Sequence, residues 1–316
     1  MTDRTPDVLV LAGGLSHERD VSLRSGRRVA EALRGAGVDV AVHDVDTSLL
    51  PTLRSVRPGL VWPLLHGATG EDGSVRDVLE MLGLHYVGAG PRASRCAWSK
   101  PVAKTLAARA GVATPRFVTL PQSLFRELGA ADVLRTVVDA LGLPLAVKPS
   151  RGGSALGVTL VRTAEELPRA MVSCFAYGDT ALVEQAVEGI EVAVSVVDTG
   201  DGPRALPAVE VVTDGPYDYD ARYVPGRTEY FVPARLDTET ARRVAESAVA
   251  VHRALDLRHL SRTDLVVDAD GTPQFIDVNS APGMTETSLL PQSAVADGQD
   301  LGKLYRAIVE AAAAEG

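Results

Sequence analysis

Four residues near the carboxyl end of the chain, Arg262, Asp264, Asp277 and Asn279, have the types and spacing for ionic chemistry. They lie within residues 260–290, L-S-R-T-D-L-V-V-D-A-D-G-T-P-Q-F-I-D-V-N-S-A-P-G-M-T-E-T-S-L-L. Two runs rich in Val, Ile, Leu and Phe flank Asp270-Gly271, the strongest short-range signal of a β-hairpin with a tight two-residue turn. A loop symmetric about that dipeptide sets Val267 opposite Gln274, Leu265 opposite Ile276 and Asp264 opposite Asp277. Side chains alternate faces along a strand, so the four polar residues then project from one side. Carboxylates directly across a strand pair, with Cβ atoms roughly 5 Å apart, repel unless something positive sits between them. Oxygen-only ligands of this kind suit a hard ion such as Mg²⁺, which takes few protein oxygens and completes its shell with phosphate and water. An exposed hairpin face whose acids are merely solvated is the alternative, and a bulge or an odd-length loop would turn one strand over and scatter the set.

Lysine is rare in this arginine-using chain, occurring only at Lys100, Lys104, Lys148 and Lys303. Lys148 sits in an apolar strand pattern, L-A-V-K-P, ahead of S-R-G-G-S-A-L-G. A Gly/Ser-rich loop can aim several backbone N–H groups at an anion, and the neighbouring ammonium would complete a phosphate clamp; an ordinary hairpin loop is the bland reading. His66 falls at the carboxyl end of a strand pattern beside G-A-T-G-E-D-G, the usual place for ligands in an open α/β sheet, although a lone histidine is more often structural. Gly13-Gly14 also follows a strand but lacks the G-x-G-x-x-G spacing of a dinucleotide site.

The elements that must position these groups follow from hydrophobic period and breakers. Residues 7–12, 38–43 and 60–65 read as buried strands, with helices through Val21–Ala36 and Val75–Leu82 between and after them, in βαβ order. A helical pattern around Lys100 leads into a central lobe holding a helix at 132–141 and strands at 145–149 and 158–161. Thr163 and Glu166 spell a capping box. Residues 181–187 and 190–197, carrying Glu184 and Glu191, are expected to pair as strands. The polar, tyrosine-bearing stretch 214–230 has the length of a lid. Asp237 caps a helix with Val244, Ala248, Val251 and Leu255 on one face, and a helix at 301–311 closes the chain.

At 316 residues and 46% hydrophobic content the chain has room for two or three lobes. Its net charge of -9, with acids and bases interspersed, gives no nucleic-acid footprint. There is no basic membrane-binding helix, and no apolar run approaches the ~20 residues of a membrane span. The polar start, M-T-D-R-T-P-D, is unlike a signal peptide, so an intracellular, cytoplasmic protein is expected. Cys96 and Cys174 are far apart, with neither a disulfide framework nor zinc spacing.

Five segments in order, G-G-L-S-H-E-R-D-V-S-L from Gly13, L-H-G-A-T-G-E-D-G from Leu65, V-K-P-S-R-G-G-S-A-L-G from Val147, Y-D-Y-D-A-R-Y from Tyr217 and D-V-N-S-A-P-G-M-T-E-T-S-L from Asp277, resemble the D-alanine-D-alanine ligase family of the ATP-grasp superfamily. The resemblance covers nearly the whole chain. It implies a three-lobed α/β ATP-grasp fold: an N-terminal open parallel sheet in 1–98, a central subdomain in 99–185, and a C-terminal subdomain in 186–316 with lid 214–230. The implied reaction transfers the γ-phosphoryl group of ATP to one D-alanine and lets the amine of a second displace phosphate, making D-alanyl-D-alanine for peptidoglycan. By position, Asp264, Asp277 and Asn279 resemble the ligands of two Mg²⁺ (Mn²⁺ being the substitute), and Lys100 and Lys148 the phosphate lysines. Glu18 with Ser154 and Tyr223 is similar to a hydrogen-bonded triad at the first D-alanine, near His66 and Val21. Arg262 and the backbone at Gly283 match the groups that face the tetrahedral intermediate, Ser288 the serine for the second carboxylate, and Glu184 and Glu191 the adenine- and ribose-side acids. A homodimer is also implied.

Three departures stand out. Asp277 replaces a customary Glu, Gly152-Gly153-Ser154-Ala155 lacks the loop's acid, and Arg222 replaces a lid lysine that reaches the transferring phosphate. None removes a step of the mechanism, and together they leave room for altered kinetics or inhibitor affinity. A D-alanine-D-lactate ligase and a non-catalytic nucleotide-binding protein on the same scaffold are the competing readings. The first would be favoured by a lid histidine in place of Tyr223, the second by loss of Arg262 or the metal acids, and neither feature occurs.

Overall fold

Val8–Ala12 (β1) carries no polar side chain and is buried throughout, so it becomes the middle of a parallel sheet between Val40–Asp44 (β2) and Leu60–Pro63 (β3). The helix Arg19–Gly35 buries Val29, Ala30 and Leu33 against this sheet. Its Gly26 permits the close approach, since a Cβ there would stand 2.6 Å from that of Ala12. The computed structural model describes residues 7–213 and 227–315.

A second, antiparallel sheet forms from Phe117–Pro121 (β4), Leu145–Pro149 (β5), Thr159–Val161 (β6) and Thr180–Gln185 (β7), in the order β4-β7-β5-β6. The amphipathic helices Ala130–Leu141 and Leu167–Phe175 cover one of its faces. The third sheet contains Ile190–Val197 (β8), Arg204–Ala205 (β9), Val209–Thr213 (β10), Thr228–Phe231 (β11), Leu260–Val267 (β12) and Pro273–Asn279 (β13), in the order β11-β10-β8-β12-β13 with β9 on β8. Thr238–Ala254, capped by the Asp237 carboxylate on the N–H groups of Glu239 and Thr240, packs Val244, Ala248 and Val251 against it. The closing helix Leu301–Ala314 returns to the first lobe, where Tyr305 meets Trp62 edge to face. Among the described residues no helix is long and apolar enough to cross a membrane.

Three expectations are corrected. Strands β7 and β8 do not pair: β7 lies between β4 and β5, and β8 between β10 and β12. The link crosses to the third sheet at Gly189, where a Cβ would fall 2.0 Å from the Val267 carbonyl oxygen; only glycine fits, and no hairpin closes there. The expected lid is shorter, because Glu229 and Tyr230 are strand residues opposite Val212 and Val211. The hairpin turn is not the two-residue kind either. Val267 pairs with Pro273 across a five-residue loop, 268–272, closed by backbone bonds between Asp268 and Thr272 and between Gly271 and Asp268. That odd loop slips the register by one, giving Leu265 opposite Phe275, and a bulge at Ile276 restores it, so that Asp264 and Asp277 face each other after all. Two irregularities cancel.

Candidate active site

β12 is an interior strand, bonded on both sides to β8 and β13, and this rigidity places Arg262 opposite Asn279 and Asp264 opposite Asp277. The like charges are separated by cations. The Arg262 guanidinium forks onto Asp264 at 2.7 and 2.9 Å. Lys100 reaches Asp277 at 2.5 Å from the first turn of the helix Lys100–Arg109. Burial opposes charge on Asp277, but the ammonium groups of Lys100 and Lys148 outweigh it and hold the carboxyl below the usual range. The donor set, two opposed carboxylates and the amide of Asn279, consists of oxygens for a hard divalent ion, and the cations around it show that the face tolerates positive charge. Among the described residues no group of three or more His, Cys, Asp or Glu is placed to hold a metal; the set here is two acids and one amide.

The Gly/Ser loop after β5 forms the facing wall. Lys100 is stitched to it by its own N–H to the Ser150 carbonyl at 2.9 Å and by its ammonium to the Gly152 carbonyl at 3.0 Å. Ser154 and Ala155 both hold positive φ, 52° and 56°, sparsely populated conformations for residues with a Cβ and a recurrent mark of functional loops. Behind the loop, Lys148 pairs with Glu184 at 2.6 Å and Lys104 pairs with the same carboxylate at 2.7 Å. Burial pushes the Glu184 carboxyl up, and the two ammonium groups more than reverse this. Glu184 is thus engaged as a counter-ion deep in the central lobe, while Glu191 stands opposite Val266 at the exposed start of β8.

The third wall comes from the N-terminal lobe. Ser154 donates a short hydrogen bond to Glu18 across 136 positions of sequence. His66 is buried, which pushes its imidazole down and keeps it neutral near pH 7, and its Nε2 has no hydrogen-bond partner among the described residues. Val21, Trp98, Gly152 and Gly153 line the same cleft as Glu18, His66, Lys100, Ser154, Arg262, Asp264, Asp277 and Asn279. Gly283 and Ser288 adjoin it: a Cβ on Gly283 would lie 2.8 Å from Ser288 Oγ and 3.9 Å from Val21. The Ser288 hydroxyl accepts the Thr285 N–H at 2.9 Å within its own turn. Arg222 and Tyr223 lie outside the described residues.

Sequence reasoning missed two buried titratable residues, Lys104 and Glu71. Lys104 had a signal, being one of four lysines and one helical turn after Lys100. Glu71 lines the cleft and accepts the Gly67 N–H at 3.0 Å. Burial, with the charge of Glu18 adding, pushes its carboxyl up to about 8, so it is protonated at neutral pH. Between its ordinary 4.5 and about 8 the folded protein holds one proton more than the unfolded chain. Stability therefore falls as pH rises through that window, by at most about 1.4 kcal/mol per pH unit from this group. Glu71→Gln is expected to flatten this slope, checked by urea unfolding of both proteins at pH 5, 6, 7 and 8.

Two antiparallel sheets meeting at a cleft, with lysines and a glycine-rich loop on one wall and carboxylates on the other, define an ATP-grasp protein, here with an open parallel α/β lobe in front. The family model described as "D-ala D-ala ligase C-terminus" matches residues 106–310. A D-alanine-D-alanine ligase of Bordetella petrii is 40% identical over 96% of this chain and 91% of its own. The crystal structure of a D-alanine-D-alanine ligase from Bacillus anthracis complexed with ATP superposes with TM-score 0.80 at 27% identity, covering 98% of this chain and 99% of that one. The VanG D-Ala:D-Ser ligase of Enterococcus faecalis gives TM-score 0.83 at 27% identity, covering 98% and 100%. The chain belongs to the D-alanine-D-alanine ligase family.

Proposed function

We infer that this chain joins two D-alanine molecules at the expense of ATP, through an acyl phosphate, and releases ADP and phosphate in supplying the dipeptide of peptidoglycan precursors. The observation that carries this reading is the convergence of Glu18 with Ser154, Lys100 with Asp277, and Arg262 with Asp264 in one cleft between three lobes. We divide the lobes at 1–98, 99–185 and 186–316.

Phosphoryl transfer is mostly positioning and charge neutralisation. Lys100 and Lys148 hold the phosphates against the Gly/Ser loop, and Asp264, Asp277 and Asn279 would hold two Mg²⁺ (or Mn²⁺). Those ions would supply positive charge to the β- and γ-phosphate oxygens. Glu184 and Glu191 serve the adenine and ribose sides, with Glu184 acting also through Lys148. Glu18 takes the ammonium of the first D-alanine, fixed by Ser154 and joined by Tyr223, with His66 and Val21 beside it. The carboxylate of the first D-alanine attacks the γ-phosphorus and ADP leaves. The second D-alanine, held by Ser288 and freed of its ammonium proton, then attacks the acyl carbon through its amine. Arg262 with the Gly283 backbone receives the developing oxyanion, and phosphate leaves as the amide forms. Arg222 supplies the lid's charge to the transferring phosphate. We further propose a cytoplasmic homodimer, as the family resemblance implies, to be checked by light scattering.

The deciding assay is phosphate release from ATP and Mg²⁺ with a panel of D- and L-amino acids and D-lactate. D-alanine should be the best sole substrate; no release with any D-amino acid would leave the non-catalytic reading. With Tyr223 neutral where a lid histidine would repel an incoming ammonium, dipeptide is expected as the main product across pH 6 to 9 in competition with excess D-lactate. Ester as the main product at pH 7 would overturn the role given to Tyr223.

A further inference from the structure

Two buried lysines end on consecutive carbonyl groups of one irregular segment. Lys104 Nζ donates to the Phe275 carbonyl at 3.1 Å, and Lys148 Nζ to the Ile276 carbonyl at 3.4 Å. Ile276 is the extra residue that shifts β13 against β12. Glu184 lies between the two ammonium groups and pairs with both. Around the same point, Thr114 Oγ1 donates to the Phe275 carbonyl at 2.8 Å and the Phe275 N–H donates to the Ala113 carbonyl at 2.7 Å. A bulge disrupts the strand ladder locally, and buried carbonyl groups must still find donors. Here the donors come from the facing lobe.

Lys104 takes no part in the reaction described above. It is fully buried, lies outside the cleft lining, and has the Phe117 and Phe275 rings at 5.6 and 5.9 Å. Burial, resisted by Glu184, pushes its ammonium down to about 8. Ions buried in this way add little net stability compared with apolar packing, and their best-attested use is to fix one register among several. The alternative register can be named. If the slip at Leu265–Phe275 ran on without the bulge, Asp264 would face Ile276, and Asp277 would turn to the buried face opposite Thr263.

We infer that Lys104 is a positioning residue that, through Glu184 and the Phe275 carbonyl, locks the Ile276 bulge and so sets both walls of the triphosphate site at once: Lys148 on the central sheet and Asp277 on the C-terminal sheet. This rests on the proposed roles of Lys148 and Asp277. The test compares Lys104→Met, Glu184→Gln and the double variant in KM for ATP and for D-alanine, in the Mg²⁺ midpoint of phosphate release, in calorimetric binding of Mg²⁺ with ADP, and in melting temperature. Each single variant is expected to raise the ATP KM and the Mg²⁺ midpoint about tenfold or more, to weaken ADP binding similarly, and to leave the D-alanine KM within about twofold. The double variant should be no more than about threefold worse than either single one, because the pair acts as a unit. A lowered melting temperature with unchanged nucleotide and Mg²⁺ dependence, or additive losses, would overturn the lock. Should Lys104→Met fail to fold, Lys104→Gln, which keeps a donor but offers no charge to Glu184, decides in its place, because Glu184 itself has a proposed role at the nucleotide. Lys148→Ala and Asp277→Asn separate the two levels: if neither alters ATP or Mg²⁺ dependence the underlying roles fail, and if both do while Lys104→Met does not, only the lock fails.

Discussion

An Asp264→Ala variant is expected to release phosphate from ATP on the order of 10³-fold more slowly than the parent protein and to remain folded, with a cooperative melt at a moderately lower temperature. The two halves of this result have separate causes. Asp264 sits on an interior strand whose pairing to Ala193 and Asp277 is made by the backbone, so truncating the side chain leaves the ladder intact. Its ion pair with Arg262 is mostly buried, at 15% exposure for the arginine and 23% for the acid, so leaving the guanidinium without this partner costs a few kcal/mol and lowers the melting temperature without unfolding the protein. Activity has no such cushion, because under the proposed function the opposed carboxylates of Asp264 and Asp277 would hold the divalent ions. Asp264→Asn, equal in shape and uncharged, should fail almost as badly. Phosphate release titrated with Mg²⁺, beside a circular-dichroism melt, checks both halves. Parental activity of either variant, or parental turnover in excess chelator, would end the metal assignment.

The same residues show how far the sequence carries the structure. Opposition of Asp264 and Asp277 was legible, but for an incomplete reason. A symmetric Asp270-Gly271 turn would produce it directly, whereas the protein reaches it through a five-residue loop and a compensating bulge. The bulge does break the alternation, since Phe275 and Val278 are both buried although three residues apart, but the apolar Ile276 between them lets the run read as one regular strand. The separation of β7 from β8 was hidden for a related reason: strand runs state that a strand exists, and its partner is chosen by contacts distant in sequence, such as Gly189 against the Val267 carbonyl. Helices fared better. Asp237 and its apolar positions reappear as cap and buried face, and Thr163 with Glu166 as a capping box, because capping and periodicity are local physics. Within the site, Glu18, His66, Lys100 and Ser154 were found by motif and are brought together by folding. Lys104 and Glu71 were missed because their importance lies in burial, which composition does not report.

Replacing Arg262 should separate the two chemical steps. Its guanidinium lines the cleft one pleat from Asp264 and opposite Asn279, on the face where an acyl carbon would lie between the substrates. Removing a donor aimed at a developing oxyanion typically costs 10²- to 10³-fold in turnover. Arg262→Ala is therefore expected to form dipeptide about 10² to 10³ times more slowly while still transferring a phosphoryl group. In a single turnover ADP should appear at close to the parental rate and D-alanyl-D-alanine should lag behind it. Arg262→Lys keeps a charge but loses the planar fork, so it should recover only part of the second step. The fork on Asp264 gives the experiment its rival outcome. If Arg262 served mainly to orient that carboxylate, its loss would slow ADP formation and dipeptide formation together and shift the Mg²⁺ midpoint. Equal losses in both steps with a shifted midpoint would make Arg262 a holder of Asp264; a slow second step at an unchanged midpoint would assign it to the tetrahedral intermediate.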